Sequence, residues 1–266
     1  CSACVIACYA ENNLAIVGKP LIAKGREMNW LRINRYWEEV DTKDAHGRPQ
    51  YDIQFVPMMC QQCGHAPCES VCPVLATYHN IDGLNAMIYN RCVGTRYCAN
   101  NCPFVVRRFN FHTYKWPEPF NLQLNPDISV RTMGVMEKCT FCIQKTRDVK
   151  IAYRELAGDG FTGTVPDEAL QKLPACANVC PSESITFGNR NDPESKISKL
   201  ANSARSFEIL AELNVKSAVR YLAKANPHKA APHGGHGADH GADHGADHGA
   251  EDNHEKPSKG HHEGGH

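Results

Sequence analysis

No charge of either sign dominates this sequence, because 29 Lys and Arg balance 29 Asp and Glu. A strongly basic surface of the kind that binds nucleic acid is therefore excluded. No apolar run approaches the roughly 18 residues of a membrane-spanning helix, so the composition reads as that of a soluble chain and not an integral membrane protein. A basic segment followed by an apolar one, the mark of an export signal, is absent too. There is no phosphate-binding glycine loop, no G-x-G-x-x-G and no nucleophile–base motif, which leaves no candidate catalytic residue. Long apolar elements are scarce: residues 1–190 are mostly short stretches separated by Gly, Pro and Asn. What the chain holds in excess is cysteine, 14 in 266 residues, at a length that does not need disulfide staples. It begins at Cys1 and not at Met, so the expectation is that the natural chain extends upstream.

The charge balance hides two unlike parts. Residues 227–266 carry three Lys against seven Asp and Glu, which makes this tail acidic and the body before it mildly basic. Ten of the 14 histidines lie in the tail, with Gly-Ala-Asp-His repeated at 237–240, 241–244 and 245–248. Almost no apolar side chain larger than alanine is present there, so the tail is predicted to be disordered. His236, His240, His244 and His248 are a candidate weak site for Zn, Cu or Ni; the alternative is a purely solubilising tail.

A few elements are legible before it. Asp192 as cap, Pro193 at the first helical position and the stripe Ile197, Leu200, Ala204, Phe207, Leu210 and Leu213 predict a helix over 193–212. Val219 to Leu222 stays open between a closing strand and more helix. Trp30 to Trp37 predicts a strand, and Ile185 to Gly188 a shorter one. Ala76 to Tyr78 and Asn85 to Tyr89 flank Asp82-Gly83, a hairpin signal.

The cysteines form nested runs. Bacterial ferredoxins use C-x2-C-x2-C-x3-C-P, in which the fourth cysteine ligates the neighbouring cluster. Cys1-x2-Cys4-x3-Cys8 is that run without its first member, Cys60-x2-Cys63-x4-Cys68-x3-Cys72-Pro73 is complete with a two-residue expansion, and Cys92-x5-Cys98-x3-Cys102-Pro103 has Thr95 at its second cysteine position. Cys139-x2-Cys142 continues after 33 residues into Cys176-x3-Cys180-Pro181. Short spacings let one loop wrap a cubane, and a distant thiolate closes it. Proline after the last cysteine turns the chain away. Structural zinc is the competing reading of a CxxC pair, but zinc sites are built from paired units, not from runs of four that end in proline. Covalent haem needs His directly after CxxC, where this chain has Val5, Gly64 and Ile143; His65 stands one place too late.

These runs, together with Asn90-Arg91-Cys92-Val93-Gly94-Thr95-Arg96-Tyr97-Cys98 and Gly134-Val135-Met136-Glu137-Lys138-Cys139-Thr140-Phe141-Cys142, resemble the four-cluster iron–sulfur subunits of the complex iron–sulfur molybdoenzymes over roughly residues 1–224. Within that group Gly25-Arg26-Glu27-Met28-Asn29-Trp30 and Thr95 are most similar to the iron–sulfur part of the B subunit of alternative complex III, a menaquinol:cytochrome c oxidoreductase. The resemblance implies an α+β fold of two pseudo-symmetric ferredoxin-like dicluster modules over 1–190. A C-terminal helix and closing segment over 191–226 and the disordered tail over 227–266 would follow. It also implies the ligand sets. Cys1, Cys4 and Cys180, with a cysteine upstream of the given start, would hold one [4Fe–4S] cluster; Cys8, Cys139, Cys142 and Cys176 a second; Cys60, Cys63, Cys68 and Cys102 a third. Cys72, Cys92 and Cys98, with Thr95 at the vacant corner, would hold a [3Fe–4S] cluster.

The implied partners are a quinol-oxidising membrane subunit, a multihaem cytochrome c subunit and a molybdopterin-oxidoreductase-like domain upstream in the same natural chain. Membrane contact would be made only through those partners, at the periplasmic face of the bacterial inner membrane. The expected function is a non-catalytic electron wire. The alternative is the electron-transfer subunit of a molybdopterin oxidoreductase of the polysulfide, tetrathionate or dimethyl sulfoxide reductase type.

Overall fold

Short helices and two-stranded ladders follow one another along the chain, and the cysteines lie in or beside the short helices and the loops that lead into them. The structure, a computed structural model, describes residues 1–225, so the candidate tail site at His236, His240, His244 and His248 lies outside the described residues. The first segment is α1 (Ala3–Glu11) followed by α2 (Gly18–Ile22). Next come β1 (Arg32–Lys43) and β2 (Pro49–Met58), paired antiparallel with Arg32 opposite Met58 and Trp37 opposite Ile53. Their turn is fastened by Asp44, whose Oδ1 accepts the N–H of His46 at 2.8 Å and of Arg48 at 2.9 Å.

Then follow α3 (Pro67–Ser70), the hairpin β3 (Thr77–His79) with β4 (Asn85–Met87), α4 (Tyr97–Asn100) and β5 (Arg108–Phe109). The hairpin turn uses the same device, since Asn80 Oδ1 accepts the N–H of Asp82 and of Leu84. The chain continues through β6 (Met136–Glu137), which pairs with β5, and on to α5 (Ile143–Ala157), α6 (Asp167–Leu170), α7 (Ala175–Asn178) and α8 (Lys196–Ala201). It closes with β7 (Ser206–Phe207) paired to β8 (Tyr221–Leu222). Among the described residues no helix is long and apolar enough to cross a membrane.

With its apolar residues spread over short segments, the chain builds its core around thiols. One apolar cluster packs Cys8 with Leu14, Trp30 and Leu31; a second packs Cys60 and Cys63 with Met58, Phe104 and Val106; a third packs Cys68 and Cys98 with Met136. A buried ion pair ties distant segments to this core. Arg131 Nη2 lies 3.0 Å from Glu137 Oε2, with both side chains 2% exposed. The same nitrogen donates to Asn12 O at 2.7 Å, and the guanidinium lies over the Trp30 ring at 5.0 Å. Glu137→Gln leaves this guanidinium without its counter-charge and is expected to destabilise the fold by about 3–5 kcal/mol. Denaturant unfolding of the loaded protein measures it; a loss under ~1 kcal/mol would show that the pair is dispensable.

Several sequence expectations are corrected. The helix predicted over 193–212 is confined to Lys196–Ala201. Its cap is Ser195, whose Oγ accepts the Ser198 N–H, and the chain downstream pairs Ser206 and Phe207 with Leu222 and Tyr221. That ladder, formed with residues some 15 positions away, outweighs the local period, and Leu210 is turned to φ 56° to pack with Ile209 against the Cys60–Cys63 cluster. The strand expected over Trp30–Trp37 starts at Arg32 and runs on to Lys43. Ile185 to Gly188 joins no ladder among the described residues; Phe187 instead stacks edge-on against Phe141 at 5.7 Å. Helix α5 has no counterpart among the sequence expectations. It buries Gln144 and Thr146 while exposing Ile151 and Leu156, the reverse of an amphipathic helix.

Candidate iron–sulfur centres

One arrangement recurs four times. The third cysteine of each run is the second residue of a short helix: Cys4 in α1, Cys68 in α3, Cys98 in α4 and Cys176 in α7. The fourth cysteine, Cys8, Cys72, Cys102 or Cys180, stands four residues further on. That is about one helical turn, so a single run can present its two sulfurs to two successive sites. Helix α1 packs on α7, and α3 packs on α4. Each partnership therefore carries the fourth cysteine of one run across to the other.

The thiols group accordingly. Cys4 faces Cys180, and the amino group of Cys1 lies beside Cys4. Cys8 lies with Cys139, Cys142 and Cys176. Cys63 has Cys60, Cys68 and Cys102 around it, and Cys98 has Cys92 and Cys72. The groups are also neighbours in series. Cys4 approaches Cys8 and Cys176, and Cys139 packs against both the Cys8 cluster and the Cys60–Cys63 cluster. All 14 cysteines carry free thiols. Thr95 lies exposed, at the second position of its run.

These surroundings suit clusters. The third group, with Arg107 and Phe104, lines a small pocket of about 20 Å³. Among the described residues no three His, Cys, Asp or Glu side chains converge as the ligands of one ion would. Donors aim at the sulfurs: the Ala76 N–H reaches Cys72 Sγ at 3.2 Å, Met136 N–H reaches Cys92 Sγ at 3.4 Å, and Phe141 N–H reaches Cys139 Sγ at 3.4 Å. Asn12 Nδ2 lies 3.6 Å from Cys8 Sγ and 3.9 Å from Cys142 Sγ. Hydrogen bonds to ligand sulfur are one of the levers that tune such centres.

Burial, reinforced by neighbouring thiols, pushes Cys63 and Cys176 up to about 12 and Cys8 and Cys139 well above the ordinary thiol range. These thiols bind metal only as thiolates, so binding there must release their protons. Cys72 and Cys180 go the other way. Burial raises Cys72, but the N–H groups of Val74, Ala76 and Thr77 bring it below its usual value. The hydroxyls of Ser182 and Ser184 lower Cys180 to about 7.

Backbone strain marks the same repeat. Leu75, Val105 and Glu183, each three residues past a Cys-Pro cysteine, have φ of 48°, 51° and 49°. Their N–H groups close turns onto the carbonyls of Cys72, Cys102 and Cys180 at 3.3, 3.1 and 3.1 Å. A leucine and a β-branched valine in this region are costly and persist only where the surroundings impose them. Ahead of the second position of three runs, Gln62, Gly94 and Phe141 are also left-handed. At Gly94 an added Cβ would collide with the Gly134 carbonyl and meet the Phe109 ring at 3.0 Å. Sequence reasoning missed these turns, Asn12 and two buried cations. One is Lys138, 0% exposed, whose Nζ donates to the carbonyls of Asn85 and Cys139; the other is Arg107. Only their position next to the runs could have signalled them.

Comparison with known proteins adds names to this geometry. Residues 51–118 match the 4Fe-4S dicluster domain family. Over 84% of this chain and 84% of its own length, the iron–sulfur cluster-binding subunit of menaquinone reductase from Nitratidesulfovibrio vulgaris is 36% identical. Iron–sulfur subunit 1 of an Hdr-like menaquinol oxidoreductase from Archaeoglobus fulgidus is 31% identical over 82% of this chain and 71% of its own. The B polypeptide of polysulfide reductase from Wolinella succinogenes is 29% identical over 81% and 84%.

Proposed function

The chain belongs to the family of iron–sulfur subunits of molybdoenzyme-type reductases, with the ferredoxin-like dicluster fold, and from that premise we propose that it is the electron wire of a quinol-oxidising complex of the alternative complex III kind. It is an electron-transfer subunit, and in the proposed reading three [4Fe–4S] clusters and one [3Fe–4S] cluster supply one-electron redox chemistry when bound. The residues of the chain would do the rest. Cys4 and Cys180, with Cys1 and an upstream cysteine, would hold the first centre; Cys8, Cys139, Cys142 and Cys176 the second; Cys60, Cys63, Cys68 and Cys102 the third; Cys72, Cys92 and Cys98 the fourth. The apolar packing around them excludes water, and the inward N–H groups stabilise negative charge on sulfur. The contacts between successive thiol groups support a linear order from first to fourth.

The observation that carries this reading is the fourfold helix repeat, with its cysteines shared between partner runs. The wire would link a quinol-oxidising membrane subunit to a multihaem cytochrome at the periplasmic face, beside a molybdopterin-oxidoreductase-like domain. Names of relatives support quinone chemistry, since two of them refer to menaquinone or menaquinol. Another names polysulfide reductase, which keeps the second reading in view.

The test uses the chain purified anaerobically with its natural partners. Added menaquinol is expected to reduce the cluster EPR signals and then a cytochrome. Clusters inert to menaquinol but reoxidised by polysulfide would establish the reductase reading instead.

A further inference from the structure

Arg107 is the cation this fold would be expected to avoid. It is 5% exposed; Nη2 donates to Thr77 Oγ1 at 2.7 Å and touches Met87 Sδ at 3.5 Å, and the guanidinium lies within hydrogen-bonding reach of the Cys98 thiol. Nε and Nη1 are buried with no partner. A guanidinium stays charged under all ordinary conditions, and burying one without a counter-charge is costly. Its neighbours are thiols of two groups. Cys60, Cys68 and Cys102 of the third and Cys98 and Cys72 of the fourth all lie near enough to feel its charge. Arg107 also lines the cavity of the third group. The left-handed turn at Val105, with Phe104 and Val106 buried on either side of it, folds the chain back and brings Arg107 to this point.

We propose that Arg107 sets the reduction potentials of the third and fourth centres, as a fixed positive charge held near both of their thiol groups. The inference rests on the cluster reading above. Thiolate-bound iron–sulfur clusters are anionic overall, and each becomes more so on reduction, so a cation in a dry, low-dielectric site favours the reduced form. Because Arg107 stands near both centres it raises both potentials together. The fourth centre is thereby kept able to accept an electron from quinol, and the step between the two stays small. Thr77 and Met87 fix the guanidinium without neutralising it, which a carboxylate would do.

The test is an EPR-monitored redox titration of the assembled complex, with iron counted in every sample. Arg107→Gln is expected to load normally and to lower the third and fourth midpoints, reducing the equilibrium constant for reduction at least tenfold, about 59 mV for one electron. Arg107→Lys keeps the charge and is expected to restore both midpoints towards wild type. Met87→Glu places a carboxylate beside Nη2, neutralises the guanidinium where it stands and is expected to lower the same midpoints, so it decides the matter if Arg107→Gln fails to load iron. Wild-type midpoints in whichever of these two charge-removing variants carries its full iron would overturn the proposal. A wild-type complex without cluster signals would instead overturn the cluster reading itself.

Discussion

Thr95→Cys is expected to convert the [3Fe–4S] EPR signal that the proposed three-thiol set gives the oxidised complex into the behaviour of a [4Fe–4S] cluster. The reasoning starts from one position. Cys92 and Cys98 stand at the first and third places of their run, Cys72 comes across from the partner helix, and Thr95 occupies the second place. A threonine hydroxyl is a hard, weakly acidic oxygen and a poor substitute for a soft thiolate at an iron corner. The backbone is already shaped for the run, with Gly94 at φ 74° and Arg96 at φ 67° on either side. A cysteine therefore needs no rearrangement to present its sulfur.

Gaining the fourth iron is expected to lower the midpoint within the span of roughly −700 to +450 mV that such clusters cover. A lower potential at the centre proposed to receive electrons from quinol would oppose that step, so quinol-dependent cytochrome reduction is expected to slow in the same variant. An unchanged EPR spectrum, with the substituted protein fully loaded with iron, would count against the three-thiol assignment.

The cluster runs were legible because their chemistry demands a spacing that other chemistry does not. A cysteine at the second residue of a helix and another four residues on, ended by proline, is a geometric instruction that survives even where the run is stretched by 33 residues between Cys142 and Cys176. The β3–β4 hairpin was legible for a similar reason. Asp82-Gly83 is a local turn signal, and Thr77 pairs opposite Met87 within the segments it flanks. Failures came where long-range pairing or polar burial decided the outcome. Leu210 and Leu213 extend an apolar period on paper, but Phe207 pairs with Tyr221 and breaks the helix. Helix α5 buries Gln144 and Thr146, so hydrophobic periodicity had nothing to find.

The polar residues of the site were the least legible. Asn12, Arg107 and Lys138 carry no pattern of their own, and an isolated Arg or Lys in a sequence reads as surface charge. Their meaning comes from the thiols they meet, which only the fold brings to them.

The most direct measurement is non-haem iron, acid-labile sulfide and zinc per chain in protein assembled and purified anaerobically with its natural partners. The proposed ligand sets require three four-iron centres and one three-iron centre, roughly 15 irons per chain with a comparable amount of sulfide. The cysteine spacing leads to that figure, and the N–H groups aimed at Cys72, Cys92 and Cys139 suit sulfurs that carry negative charge. Iron near this level, with matching sulfide and little zinc, is the predicted result. Stoichiometric zinc with little iron or sulfide would contradict the account at its base.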